Sequence, residues 1–397
     1  MIEGWAYAER TKGVKSSIIR EILKLINREG VISFAGGLPA PDLFPLDELE
    51  EACHKVFKNK AGKALQYGTT EGYYPLRDIL AKWVTEQGIE ATADDIMITT
   101  ASQQGLDLVS KLFLDLGDNI ITSAPTYLGA IQAFNAYSPR YITFKADEHG
   151  IKIDGLEEAI QKGKPRFIYL VPTFQNPDGR TLSLERRKKI LALAREYKVP
   201  IIEDDPYSQL RYKGEDIPAM KALDPDCVIL LGTFSKLIAP GFRVGWAIAP
   251  SEPRDKLIRL KQGADLHTST FSQYVLYEFL SNGGLKRHLD RVKKVYARKL
   301  RVMKEGINRY FPDGVKVIPP EGGLFLWVEL PKGLDTAELL QTAVEKGVAY
   351  IPGKYFYPDG SGENTCRLNF SFPSEGTIEE GVKRLGEFFK KALLESG

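Results

Sequence analysis

A lysine, a carboxylate, a carboxamide and an arginine stand at the ends of short apolar runs in this sequence, and each does a distinct kind of chemistry there. The run Val228 to Gly232 leads into Thr233-Phe234-Ser235-Lys236, and Arg243 follows in Pro240-Gly241-Phe242-Arg243. A lysine at a buried strand end is costly unless it is paired or covalently used. Beside two hydroxyls and an arginine it could equally serve a nucleotide phosphate, although the GxxxxGK[ST] spacing is absent around it. The run Pro200 to Ile202 ends in Glu203-Asp204-Asp205-Pro206-Tyr207, carboxylates that solvent or a hard cation can satisfy. No histidine accompanies them, and a metal is the poorer reading. Ile96 to Thr100 is followed by Ala101-Ser102-Gln103-Gln104-Gly105 and a helical pattern. A hydroxyl and free N–H groups then meet at a helix start, which is a phosphate seat or an ordinary cap. The run ending at Val171 opens Pro172 to Gly179, a turn by its Asn-Pro and Asp-Gly pairs that also carries the Asn176 carboxamide.

The elements that position these groups read as a buried sheet. The runs named above, with Asn119 to Ser123, Val244 to Ala249 and a weaker seventh at Tyr141 to Phe144, are nearly all apolar rather than alternating. Strands covered on both faces read that way. Helical stretches such as Leu184 to Lys198 separate them, which predicts α/β architecture: a large domain whose mostly parallel seven-stranded sheet has helices on both faces. A long charged helix, roughly Gly284 to Tyr310, opens a smaller α+β domain. The expected division is 46–283 for the large domain and 284–397 for the small C-terminal one, with 1–45 joining the small domain and the site entrance. Within 1–45, Val14 to Arg28 has helical spacing and Ser33 to Pro45 is irregular. Ligands of open parallel sheets bind beyond the carboxyl ends of the strands, where the chemistry-bearing residues cluster. Pyridoxal 5'-phosphate needs that whole set: a lysine for its aldehyde, an acid at its pyridine nitrogen, donors at its phenolic oxygen and anion donors at its phosphate.

Composition bounds the alternatives. The chain has 397 residues, 54 basic against 52 acidic, a net charge of +2 that offers no broad electrostatic face to nucleic acid. Cys53, Cys227 and Cys366 are far apart with no CxxC pair, so neither a disulfide framework nor a zinc site is expected. The first 15 residues lack an export signal and no apolar run reaches the length of a membrane span, which predicts a cytoplasmic protein without membrane partners.

The segments SFAGGLPAPDLFP, LQYGTTEGYYPLR, TTASQQGLDL, PTFQNPDGRTL, EDDPY, GTFSKLIAPGFRVGW and ENTCRLNF span nearly the whole chain. Together they closely resemble the fold-type I, class I/II aminotransferases, in particular the branch of 2-aminoadipate and kynurenine aminotransferases. The resemblance implies that Lys236 is the Schiff-base lysine and that Asp204 pairs with the pyridine nitrogen. It implies that Asn176 and Tyr207 meet the phenolic oxygen and that Tyr127 stacks on the ring. Ser102, Gln103, Thr233, Ser235 and Arg243 resemble the phosphate cup. Tyr67 is similar to the tyrosine lent to the neighbouring subunit's site, which implies a homodimer. Arg367 resembles the arginine that grips the substrate α-carboxylate, Gly37 lies in the loop over the substrate, and Arg20 matches an arginine that faces a distal substrate carboxylate. Family members often have glycine where Ala101 stands.

The implied reaction is ping-pong transfer of an amino group from an L-amino acid to a 2-oxo acid, with 2-oxoglutarate the expected acceptor. Glutamate, 2-aminoadipate, aromatic amino acids, kynurenine and leucine all suit such a pocket as donors. Two rivals share the scaffold. A lyase would replace transfer by elimination. A transcription regulator would need a DNA-binding module ahead of the catalytic domain, for which Lys236 stands too close to Met1.

Overall fold

The computed structural model describes residues 6–13, 22 and 30–396. The expected helix over Val14 to Arg28, and Arg20 with it, lies outside the described residues apart from Ile22. A first strand, β1 (Ile32–Ser33), precedes the irregular stretch that the glycines and prolines of 33–45 predict, and that stretch holds one turn of 3-10 helix at Pro41–Leu43. Helices α1 (Leu46–Ala64) and α2 (Tyr74–Thr85) follow.

Strands and helices then alternate: β2 (Ile96–Thr99), α3 (Ala101–Phe113), β3 (Asn119–Ala124), α4 (Leu128–Asn135), β4 (Arg140–Asp147), β5 (Gly150–Ile151), α5 (Leu156–Gly163), β6 (Ile168–Leu170), α6 (Leu184–Glu196), β7 (Ile201–Asp205), α7 (Met220–Leu223), β8 (Val228–Thr233) and β9 (Gly245–Ile248). They form one sheet in the order β2-β9-β8-β7-β6-β3-β4-β5. All seven predicted runs are strands of it, and the two-residue β5 adds an eighth at the edge. The central pairs β4-β3, β3-β6, β6-β7 and β7-β8 are parallel, joined by helical crossovers. The strand β9 runs antiparallel to both β8 and β2, an orientation that an apolar run does not encode. Its start, Gly245, is therefore level with Thr233 and Thr99. This return brings Arg243, just ahead of β9, to the edge where Lys236 and the start of α3 lie.

Beyond the sheet, α8 (Ser251–Asp265) and α9 (Thr270–Ser281) lead to α10 (Gly284–Tyr310), which coincides with the predicted charged helix. Its buried Leu285, Leu289, Val292, Tyr296, Leu300, Met303 and Ile307 recur every three or four residues, a single apolar stripe. After it come β10 (Lys316–Ile318), β11 (Phe325–Glu329), α11 (Leu340–Glu345), β12 (Val348–Ala349), β13 (Ile351–Pro352), β14 (Thr365–Asn369) and α12 (Glu375–Ser396). A second, antiparallel sheet has the order β10-β11-β14-β13. The first strand β1 pairs in parallel with β12, and the Asn369 N–H donates to the Phe34 carbonyl at 2.8 Å. Residues 32–34 are thus stitched to β12 and to the last residue of β14, beside the carboxyl edge of the large sheet.

Candidate active site

At that edge, β3 has β4 on one side and β6 on the other, so the loops after β3 and β6 diverge and leave a crevice. A cavity of about 180 Å³ lies there, lined by Ala101, Ser102, Gln103, Tyr127, Val171, Asn176, Asp204, Pro206, Tyr207, Thr233, Ser235, Lys236, Pro240 and Arg243. Ten of these fourteen lining residues are predicted site residues, brought together from five strand ends. A larger cavity of about 550 Å³, among α2, α9 and α10, holds no comparable set. Volume therefore does not locate the chemistry in this molecule.

Asp204 is 1% exposed. The Tyr169 hydroxyl donates to its Oδ2 at 3.0 Å, while Oδ1 is buried with no partner in the protein. Burial pushes its carboxyl up to about 7 against the Tyr169 hydrogen bond, which favours the anion. The neighbouring carboxylates that the sequence places with it go elsewhere. Side chains alternate along a strand, and Glu203 accepts the Met220 and Lys221 N–H groups at 2.9 and 2.8 Å on the opposite face. Asp205 Oδ1 accepts the Ser208 N–H at 2.9 Å.

The Lys236 ammonium donates to the Gly37 carbonyl at 2.6 Å. Burial, then the nearby Arg367 and Arg243 charges, lower its pKa to about 8. Arg367 is 1% exposed and donates through Nη1 to Asn176 Oδ1 and through Nη2 to the Ala35 carbonyl, each at 2.7 Å, while its Nε has no partner. Its guanidinium lies 4.2 Å from the Phe325 ring centroid and 5.1 Å from that of Phe356. Burial draws its pKa down to about 10. Asn176 also reaches the Tyr207 hydroxyl, and burial drives that phenol far above its ordinary range. Adjacent Gln175 donates to Ser123 Oγ at 2.9 Å and to the Pro125 carbonyl at 2.6 Å, which braces the loop carrying Asn176.

The polar end of the cavity is built from the start of α3 and the β8–β9 hairpin. Gln103 Nε2 donates to the Gly129 carbonyl at 2.9 Å, tying α3 to the start of α4, where Tyr127 stands. A Cβ on Gly129 would lie 2.5 Å from the Tyr127 ring, so only glycine leaves the ring its place. Thr233 Oγ1 bonds Ser235 Oγ at 3.0 Å, and Arg243 Nη1 donates to Ser235 Oγ at 3.4 Å and to the Pro240 carbonyl at 3.3 Å. Three hydroxyls, a guanidinium and helix-start N–H groups suit a dianionic phosphate. The orphaned Asp204 oxygen suits a protonated ring nitrogen, and the depressed lysine suits an aldehyde. The donor set fits pyridoxal phosphate.

Of the other predicted residues, Gly37 is in the site through its carbonyl. Tyr67 is not: it is 78% exposed and packs edge-on against His267 at 5.7 Å. Sequence reasoning missed Tyr169, Phe325, Phe356 and Ala35. A hydroxyl-bearing Tyr169 within an aliphatic run was the available signal; the other three read as ordinary core or loop.

A fold of this kind with this site defines a pyridoxal-phosphate-dependent transferase. The family model for aminotransferase class I and II matches residues 31–385, and the chain belongs to that family. It is 45% identical over 394 residues to the aromatic-amino-acid aminotransferase 1 of Thermococcus litoralis, covering 98% of this chain and 94% of that protein. It is 44% identical over 392 residues to the 2-aminoadipate transaminase of Thermus thermophilus, covering 98% and 97%. The crystal structure of Pyrococcus horikoshii kynurenine aminotransferase, in complex with PMP, KYN as substrates and KYA as products, superposes with a TM-score of 0.94 at 44% identity, covering 98% of this chain and 97% of that one. The protein is an aminotransferase, its cofactor is pyridoxal phosphate, and its substrates are amino and oxo acids. No helix among the described residues is long and apolar enough to cross a membrane.

Proposed function

We propose that this aminotransferase takes its amino group from a 2-aminoadipate, glutamate, aromatic or leucine-like L-amino acid and passes it to a 2-oxo acid, 2-oxoglutarate foremost, by a ping-pong mechanism. The observation that carries the reading is Arg367. It is a fully buried guanidinium with an unpartnered Nε, held beside Asn176 and close enough to Lys236 to lower its pKa. A buried cation with a free donor calls for a carboxylate, and a planar fork grips one in a fixed orientation. The relatives favour this donor range, since aromatic amino acids and 2-aminoadipate appear in their names.

The bound cofactor supplies an electron sink for the substrate α-carbon. Arg367 fixes the α-carboxylate. Lys236, neutral above about pH 8, removes the α-proton and later returns one. Asp204 Oδ1 holds a proton at the pyridine nitrogen, and Asn176 and Tyr207 donate to the phenolic oxygen. Tyr127 lies against the ring, while Ser102, Gln103, Thr233, Ser235 and Arg243 hold the phosphate. Gly37 closes the substrate side. Tyr67 serves the site of a second copy, so the working unit is a homodimer. Residues 46–283 form the cofactor-bearing domain and 284–397 the smaller one, with 1–45 completing the entrance.

An absorbance spectrum before and after separate addition of 2-aminoadipate, glutamate, phenylalanine and leucine, with oxo-acid product assayed in parallel, tests the reading. Conversion of the cofactor band with stoichiometric oxo acid supports it and ranks the donors. Release of ammonia or elimination products would replace it by the lyase reading.

A further inference from the structure

Just behind the phosphate end of the cavity, outside its lining, a buried lysine pairs with a partly exposed aspartate. Ala101, the first residue of α3, has φ of 59°, in the left-handed region that is strained for a residue with a Cβ. Such strain persists where surrounding contacts over-determine it. Thr100, immediately before, is held at three points. Its N–H donates to Gln104 Oε1 at 2.8 Å, and its hydroxyl meets Asp265 Oδ2 at 3.0 Å and Thr268 Oγ1 at 3.1 Å. Gln104 Nε2 donates to Asp265 Oδ2 at 2.6 Å. At the centre is Lys261, whose side chain is 0% exposed. Its ammonium donates to Gln104 Oε1 at 3.0 Å and to Asp265 Oδ1 and Oδ2 at 2.7 and 2.8 Å, while Gly245 closes on the Ala101 backbone from the other side.

The N–H groups at the start of α3 follow this turn directly, so their direction depends on the strained residue. A buried lysine with all its donors engaged costs desolvation that a methionine would avoid, and no part of it reaches the cavity. We propose that Lys261, acting through Asp265 and Gln104, is a positioning residue for the cofactor phosphate: the pair locks Thr100 and thereby holds Ala101 in the left-handed turn that aims the α3 N-terminus. The inference rests on the reading of that helix start as the phosphate seat.

The test compares pyridoxal 5'-phosphate with pyridoxal, which lacks the phosphate, as ligands of the apo-protein, by equilibrium binding. Lys261→Met is expected to weaken pyridoxal phosphate about tenfold, the loss of one buried charged hydrogen-bond set, and to leave pyridoxal within about twofold. Asp265→Asn, which keeps the shape of the side chain while removing its charge, is expected to shift the same ratio in the same direction. Adding Ala101→Gly to Lys261→Met should restore most of the phosphate affinity, because glycine adopts the positive φ unaided. Equal weakening of both ligands, or of neither, while Arg243→Gln is phosphate-selective, would overturn the positioning role and leave the seat intact. An Arg243→Gln variant with no phosphate selectivity would instead overturn the seat reading, and the inference with it.

Discussion

The same three kinds of charged group gather twice about β7, once on the cavity side and once behind it. On the side of the cavity are Asp204, Arg367 and Lys236; behind it are Glu203, Arg187 and Lys221. Burial acts alike on both sets. Each carboxyl is pushed up to about 7 and each lysine down to about 8. The difference is in partners. Glu203 holds two backbone N–H groups, and Lys221 donates to the Pro225 and Val228 carbonyls at 2.5 and 2.8 Å. Arg187 donates to the Leu182, Pro218 and Pro172 carbonyls and to Thr173 Oγ1 at 2.8–3.0 Å. The set at the cavity leaves Asp204 Oδ1 and Arg367 Nε without partners. Between these two sets a shifted pKa does not separate the working site from the structural one, whereas unsatisfied hydrogen-bonding capacity does.

That contrast can be broken pair by pair. The largest effect is expected at the lysines. Lys236→Ala should lower kcat by about 10⁴-fold with an unchanged melting curve, whereas Lys221→Met should keep kcat within about twofold and cost about 1–3 kcal/mol of stability; an active Lys236→Ala enzyme would erase the distinction. Next come the arginines. Arg367→Ala should lower kcat/KM for every donor by roughly 10²-fold or more, about 3 kcal/mol. Arg187→Ala should act through folding, because it orphans the Leu182 and Pro218 carbonyls and removes a brace from the Pro172 to Gly179 loop, and denaturant melts of the two variants separate the cases.

The carboxylates give a smaller and pH-dependent effect. Asp204 titrates near 7 in the folded apo-protein and near 3.8 unfolded. Between those values the folded state holds more protons, so its stability falls as pH rises from about 4 to about 7. Asp204→Asn removes that slope, and its apo-protein should melt higher at pH 8 than the parent while binding cofactor more weakly. Glu203→Gln should flatten a similar slope with cofactor affinity unchanged. The smallest expected effect is kinetic: attachment of pyridoxal phosphate to the apo-protein should accelerate as pH rises through about 8, where Lys236 loses its proton. A flat profile would place the lysine's pKa outside that range.

The sheet and the cofactor site were largely legible because both depend on conspicuous local signals. An apolar run of five or six residues marks a doubly covered strand, and Lys236 after its end is costly enough to demand a use, whereas Asp204 and Asn176 took their roles from the family resemblance. The antiparallel sense of β9 was not legible, since Val244 to Ala249 reads the same in either direction. The parting of Glu203 from Asp204 was available in the period of two along β7, and clustering by sequence position obscured it. Phe325 and Phe356 look like core in any sequence; only the fold puts their rings beside Arg367. The role of Lys261 was invisible because its partner Gln104, and the Thr100 that Asp265 holds, lie more than 150 positions away in the sequence.

The bond from Arg367 to the Ala35 carbonyl spans 332 positions, and it sets an order of manufacture. The groups proposed to hold the cofactor within one chain, Ser102 to Arg243, all precede Arg367 in the sequence. The carboxylate grip closes only when residue 367 meets a segment synthesised at the outset. A product that stops short of β14 would therefore have no grip on a substrate carboxylate.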